Sequence, residues 1–154
     1  MLQPLLVFAV GNESRGDDAL GPQLLRQLQA EADGQAGFLE DFQWQVEHVT
    51  DLHGRKAILF VDADVSCAAP FELVEIGAGH DDSFSSHAMS PGALLHAYRQ
   101  VYADEPPRAF VLRIRGHGFE LGAALSPEAL DNLGFALQAA RDWLKKGGNS
   151  TCRI

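Results

Sequence analysis

Apolar positions follow two rhythms along this chain. Residues 5–10 form an unbroken apolar run of strand length, and from Ala19 onward Leu20, Leu24, Leu25 and Leu28 recur at helical spacing. The helix fades near residues 32–37, where Ala-Asp-Gly-Gln-Ala-Gly breaks the pattern, and a second strand falls within residues 38–46, a mixed stretch holding Phe42 and Trp44. Residues 46–53 leave room for about two helical turns before Gly54, less than a usual parallel crossover. Residues 57–61, apolar throughout and ending at Asp62, predict a strand buried on both faces.

The short link at residues 63–70 cannot carry the dozen or so residues of a parallel crossover, so a strand at residues 71–76 is expected to run antiparallel. A loop rich in Gly, Asp, Ser and His (residues 77–89) precedes Ser90-Pro91, a cap and first-turn proline that open a helix through Leu94, Leu95, Tyr98 and Val101. Residues 109–114 predict another strand, Gly116-His117-Gly118 a break, and Ser126-Pro127 a final helix that ends at Lys145-Lys146-Gly147-Gly148. This alternation is the signature of an α/β fold, a three-layer αβα sandwich around a mainly parallel twisted sheet of about five strands with one antiparallel strand. Residues 1–148 read as one domain and residues 149–154 as a loose tail.

Composition narrows the function classes. Twelve basic against twenty-one acidic residues give a formal charge of -9, which repels phosphate backbones and anionic membrane surfaces. Neither nucleic acid nor membrane is expected as a partner, and the absence of a signal-peptide pattern points to the cytoplasm. Cys67 and Cys152 lack a CxxC pattern and read as reduced thiols.

Candidate chemistry gathers where an α/β sheet of this kind puts its sites, beyond the carboxyl ends of its strands. Asp17 and Asp18 follow the first strand, Asp62 and Asp64 end the third, and His80 and His87 lie in the loop feeding the next helix. Two carboxylates and an imidazole form a donor set for nickel or zinc that leaves positions open to a substrate. Each residue also has an ordinary structural reading: an aspartate at a helix start caps it, and an aspartate after a strand bonds nearby amides. The Gly11 to Gly21 loop lacks GxGxxG and GxxxxGK[ST], and its paired aspartates repel phosphate, which disfavours a nucleotide.

Gly11-Asn12, then Gly16-Asp17-Asp18-Ala19-Leu20-Gly21, then Phe60-Val61-Asp62-Ala63, then Ser86-His87-Ala88-Met89-Ser90 resemble, in order, the motifs of the nickel-iron hydrogenase maturation endopeptidases. These proteases trim the C-terminal extension from the hydrogenase large subunit. The resemblance implies metal contacts at Asp18, Asp62 and His87, and of the two candidate catalytic carboxylates one, Asp18 or Asp62, is expected to relay the proton. It implies nickel carried by the substrate rather than a permanently bound metal, and the large-subunit precursor as partner of a free monomer. Gly11, Asn12 and Gly16 are then expected to aim the Asp18 carboxylate, with Asp17 as a structural cap.

The chain departs from the family after the second strand, where many members carry Gly-Thr and this one reads Gln43-Trp44-Gln45. Ser14, Ser66 and Cys67 lack the flanking glycines of a nucleophile elbow, so attack by water is the expected chemistry. Arg113 and Arg115, two apart on a strand and so on one side, are lesser candidates for meeting a peptide carboxylate, as is His117. His48, His53 and His96 receive no role. The rival reading from another class is a non-catalytic, nickel-dependent binding or chaperone module for the same large subunit.

Overall fold

The structure, a computed structural model, describes residues 2–78 and 89–150. In chain order the elements are β1 (Leu5–Val10), a 3-10 turn (Gly16–Ala19), α1 (Leu20–Ala32), β2 (Gly37–Asp41), a second 3-10 turn (Val46–His48) and α2 (Val49–Leu52). There follow β3 (Ala57–Asp64), β4 (Phe71–Ile76), α3 (Pro91–Tyr102), β5 (Arg108–Arg115) and α4 (Pro127–Lys145). The strands form one sheet in the order β2-β1-β3-β5-β4, parallel except for β4, which runs antiparallel to β5. From β1 the chain moves first to β2 on one side and then to β3 on the other. The strand order therefore reverses at the seam between β1 and β3, the place where such sheets open a crevice.

Alternate residues of the central strands face opposite layers. Leu5, Val7, Leu59 and Val61 pack with α1 and α4 through Leu24, Leu28, Leu133 and Trp143. Leu6, Phe8, Ile58 and Phe60 pack with α2 and α3 through Leu52, Leu94, Leu95 and Tyr98. Burying both faces explains the near-continuous apolar runs of β1 and β3. Helix starts follow the serine-proline signals: Ser90 Oγ accepts the Ala93 N–H at 3.0 Å and Ser126 Oγ that of Ala129 at 3.2 Å.

Two elements depart from the expected pattern. β3 does not end at Asp62 but continues to Asp64, because backbone pairing with β5 persists through Asp62↔Arg113 and Asp64↔Arg115 after the apolar run is over. Burial falls from complete at Val61 to partial at Asp62, Ala63 and Asp64, so the strand carries its last residues out of the core. β2 is shorter than its mixed segment and stops at Asp41, leaving Phe42 and Trp44 in the connection to α2. No described helix is long and apolar enough to cross a membrane.

Candidate active site

The loop leaving β1 is built to bring a backbone and a carboxylate close together. Gly11 adopts φ +153°, and a Cβ there would sit 2.1 Å from the Asp18 carbonyl oxygen, so no side chain fits without moving the loop. Asn12 follows, and its N–H donates to Asp18 Oδ2 at 2.7 Å while its own Oδ1 accepts the Ser14 N–H at 2.9 Å. At the other end of the loop Gly16 has φ +59°, with the space of a Cβ taken by the Gly118 carbonyl 2.5 Å away. Asp18 is thereby fixed at the mouth of the β1/β3 seam.

Asp18 and Asp62 line one cleft of about 300 Å³, together with Asp64, Arg113 and the Phe42-Gln43-Trp44 segment. Asp62 sits at its floor, and among the described residues its carboxylate accepts a single hydrogen bond, from the Ala63 N–H at 2.8 Å. Burial is the main reason that its acidity is weakened, and the Asp18 charge adds to it. Together they push the Asp62 pKa up to about 8, against smaller opposing effects from the Ala63 N–H and Arg113. Such a carboxyl exchanges its proton near neutral pH, and a cation bound between it and Asp18 would relieve the repulsion. Asp64 is committed elsewhere: its Oδ1 accepts from the Ser66 N–H and hydroxyl at 2.8 and 3.0 Å, and Oδ2 faces Arg113 at 3.7 Å.

Asp17, the immediate neighbour of Asp18, points the other way. It is fully buried at 0% exposure and caps no helix, since neither the 3-10 turn nor α1 has a side-chain cap. Its carboxylate instead accepts four hydrogen bonds, from the N–H groups of His117, Gly118 and Ser126 and from the Ser126 hydroxyl, at 2.7 to 3.0 Å. Burial raises its pKa, but these donors outweigh it and hold the group below the ordinary carboxylate value. Asp17 N–H also donates to the Gly118 carbonyl at 2.7 Å, so the loop after β5 is tied to the loop after β1 from both sides.

The remaining candidates divide. Arg113 lines the cleft and pairs with Glu72 at 3.2 Å, whereas Arg115 bonds the carbonyls of Cys67 and Gly116 and supports the loops behind it. His117 is exposed, does not line the cleft, and contributes only its backbone to Asp17. Burial keeps the Cys67 thiol above its usual pKa, which suits an inert residue. His80 and His87 lie outside the described residues. Among the described residues no three His, Cys, Asp or Glu side chains gather tightly enough to hold a metal. Asp18 and Asp62 are thus a pair of hard oxygen donors with room beside them, not a closed cage.

Sequence reasoning passed over the brace at the cleft wall. His48 Nε2 meets Asp41 Oδ2 at 3.0 Å while its Nδ1 accepts the Gln45 N–H at 2.8 Å, which places the ring proton on Nε2. The seven-residue spacing of Asp41 and His48 across a turn was the available signal.

Solved structures share this doubly wound fold. No family model matches the chain, and no curated protein matches it. The hydrogenase maturating endopeptidase HybD from E. coli is similar at a TM-score of 0.74 and 21% identity, over 96% of this chain and 94% of that one. A solution structure of an endopeptidase from E. coli is similar at 0.75 and 20%, over 95% and 94%. The NiFe hydrogenase maturation protease HycI from Thermococcus kodakarensis is similar at 0.71 and 15%, over 93% of each chain. The chain has the fold of structures named as hydrogenase maturation endopeptidases, over nearly its whole length.

Proposed function

We propose that the chain is an endopeptidase that removes the C-terminal extension of a nickel-iron hydrogenase large-subunit precursor after nickel insertion. The observation that carries this reading is the Asp18 and Asp62 pair facing one cleft at the β1/β3 seam, in a fold shared end to end with structures bearing that name. Nickel belongs to the precursor and is the element recognised. Asp18, Asp62 and His87 are the contacts for it, and the protease keeps no metal of its own. The free chain is a cytoplasmic monomer in this reading, with the precursor as its partner.

The chemistry assigned to the residues is hydrolysis by water. Ionised Asp62 accepts a proton from the attacking water, whose oxygen adds to the scissile carbonyl carbon. The carbon–nitrogen bond then breaks and the proton passes to the leaving amine. Burial and the Asp18 charge hold the free Asp62 carboxyl at about 8, so it gives up its proton when the precursor's cation arrives and is ionised for the step. Asp18, held by the Asn12 N–H, is the carboxylate that meets the precursor's cation.

Intact-mass analysis of nickel-loaded precursor incubated with the chain tests the proposal. The expected result is a precursor lighter by its C-terminal extension, with no change for nickel-free precursor. An unchanged mass in a stable complex would replace the protease with a binding module.

A further inference from the structure

We infer that Phe42, with Gln43 beside it, is the platform that seats the precursor's extended peptide next to the scissile bond, a large apolar side chain of that peptide lying on the Phe42 ring. The inference rests on the endopeptidase reading and adds to it the residue that selects the substrate.

Phe42 is 72% exposed and lines the same cleft as Asp18 and Asp62. An aromatic ring left in water forgoes the burial that other aromatics of this chain obtain, and a loose loop would fold it down. Here the loop is braced so that it cannot. Asp41 Oδ1 accepts the Phe42 N–H at 2.7 Å, and Asp41 Oδ2 is held by the His48 ring, itself buried edge-on against Phe8 at a centroid distance of 4.6 Å. Two residues beyond Phe42, the Trp44 ring is buried in an edge contact with Phe60 at 5.4 Å. Asp41, Trp44 and His48 therefore pin the segment to the sheet, and Phe42 and Gln43 are carried outward between the pins.

The surroundings fit a peptide. Met89 and Pro91 line the cleft along with Phe42, so its acids stand among apolar side chains. That is the layout of an interface anchor, with an apolar contact beside a polar centre. The Gln43 amide carries both donors and an acceptor and can meet a peptide backbone. A cleft of about 300 Å³ holds a side chain with its flanking backbone rather than a folded domain. The acids Asp18, Asp62 and Asp64 repel anionic ligands and leave an apolar or cation-bearing segment as the occupant.

The test compares wild type with Phe42→Ala and Phe42→Leu, using the full chain and nickel-loaded large-subunit precursor. Steady-state cleavage, calorimetric binding of the precursor and thermal unfolding are read together. Phe42→Ala is expected to raise KM and Kd about tenfold, with kcat shifted by less than about threefold. Phe42→Leu should recover most of that loss, and Tm should stay put because the ring is in water. KM and Kd within about twofold of wild type in Phe42→Ala, or a loss confined to kcat, would overturn the platform. Binding by wild type without cleavage, weakened about tenfold in Phe42→Ala, would sink the endopeptidase reading while keeping the platform. Failure of wild type both to bind and to cleave removes both.

Discussion

Asp17 and Asp62 are two carboxylates withdrawn from water at the same end of the sheet, and their surroundings treat them in opposite ways. Asp17 is met by four donors and its pKa lies below the ordinary value; among the described residues Asp62 has one hydrogen bond, faces the charge of Asp18, and has its pKa pushed up to about 8. A carboxylate whose lone pairs are filled by the chain's own N–H groups is part of the architecture. One left short of partners and beside a like charge is held in a state that only a proton or a bound cation completes. The contrast separates neighbours as well, because Asp18, one residue from Asp17, belongs to the second kind of site, with a single bond, from Asn12, among the described residues.

The largest expected effect breaks the architectural side. Asp17→Ala leaves the N–H groups of His117, Gly118 and Ser126 without the buried carboxylate they share and should cost about 3 kcal/mol, a fall in Tm of roughly 6–12 °C by thermal unfolding. Asp18→Ala loses one bond at the half-buried cleft mouth and should cost about 1 kcal/mol or less. Equal losses in the two variants would erase the distinction. Because the folded pKa of Asp17 is lowered, its contribution is present above the unfolded value near 3.8 and is lost as pH falls below it.

Asp62 carries the opposite sign. A folded pKa raised from 3.8 to about 8 means that its stabilising, protonated form prevails at low pH, and that stability declines as pH rises across that window. Asp62→Asn removes this penalty while keeping an acceptor for the Ala63 N–H. The variant should be more stable than wild type by at least about 1.4 kcal/mol at pH 8, one pKa unit's worth after discounting for the part of the side chain that meets solvent. Near pH 4 the difference should vanish, and cleavage should be lost throughout. A variant less stable than wild type at pH 8 would show that the carboxylate serves the fold.

The sequence made the frame legible because its signals are local. The unbroken run at residues 5–10, the short link before residues 71–76 and the two serine-proline starts each state their own outcome within a few residues. What it left open depends on partners far along the chain. Asp17 and Asp18 are adjacent and chemically identical, and only donors about a hundred residues away settle which one turns inward. The extension of β3 past Val61 was hidden for a similar reason, since hydrogen bonding to β5 outlasts the apolar pattern that announces the strand. The loop from Gly11 to Gly21 could be placed at a strand end, but its Asp18 acquires meaning only from Asp62, forty-four positions later.

The carboxyl titration of Asp62, followed by NMR in wild type and in Asp18→Asn, tests most directly that these two acids form one coupled, unsatisfied site. Wild type should titrate near pH 8. In Asp18→Asn the value should fall yet stay above the ordinary carboxylate range, because burial is the larger cause and the Asp18 charge the smaller. An Asp62 that titrates near 3.8 in wild type, or that does not respond to loss of the Asp18 charge, would contradict the account.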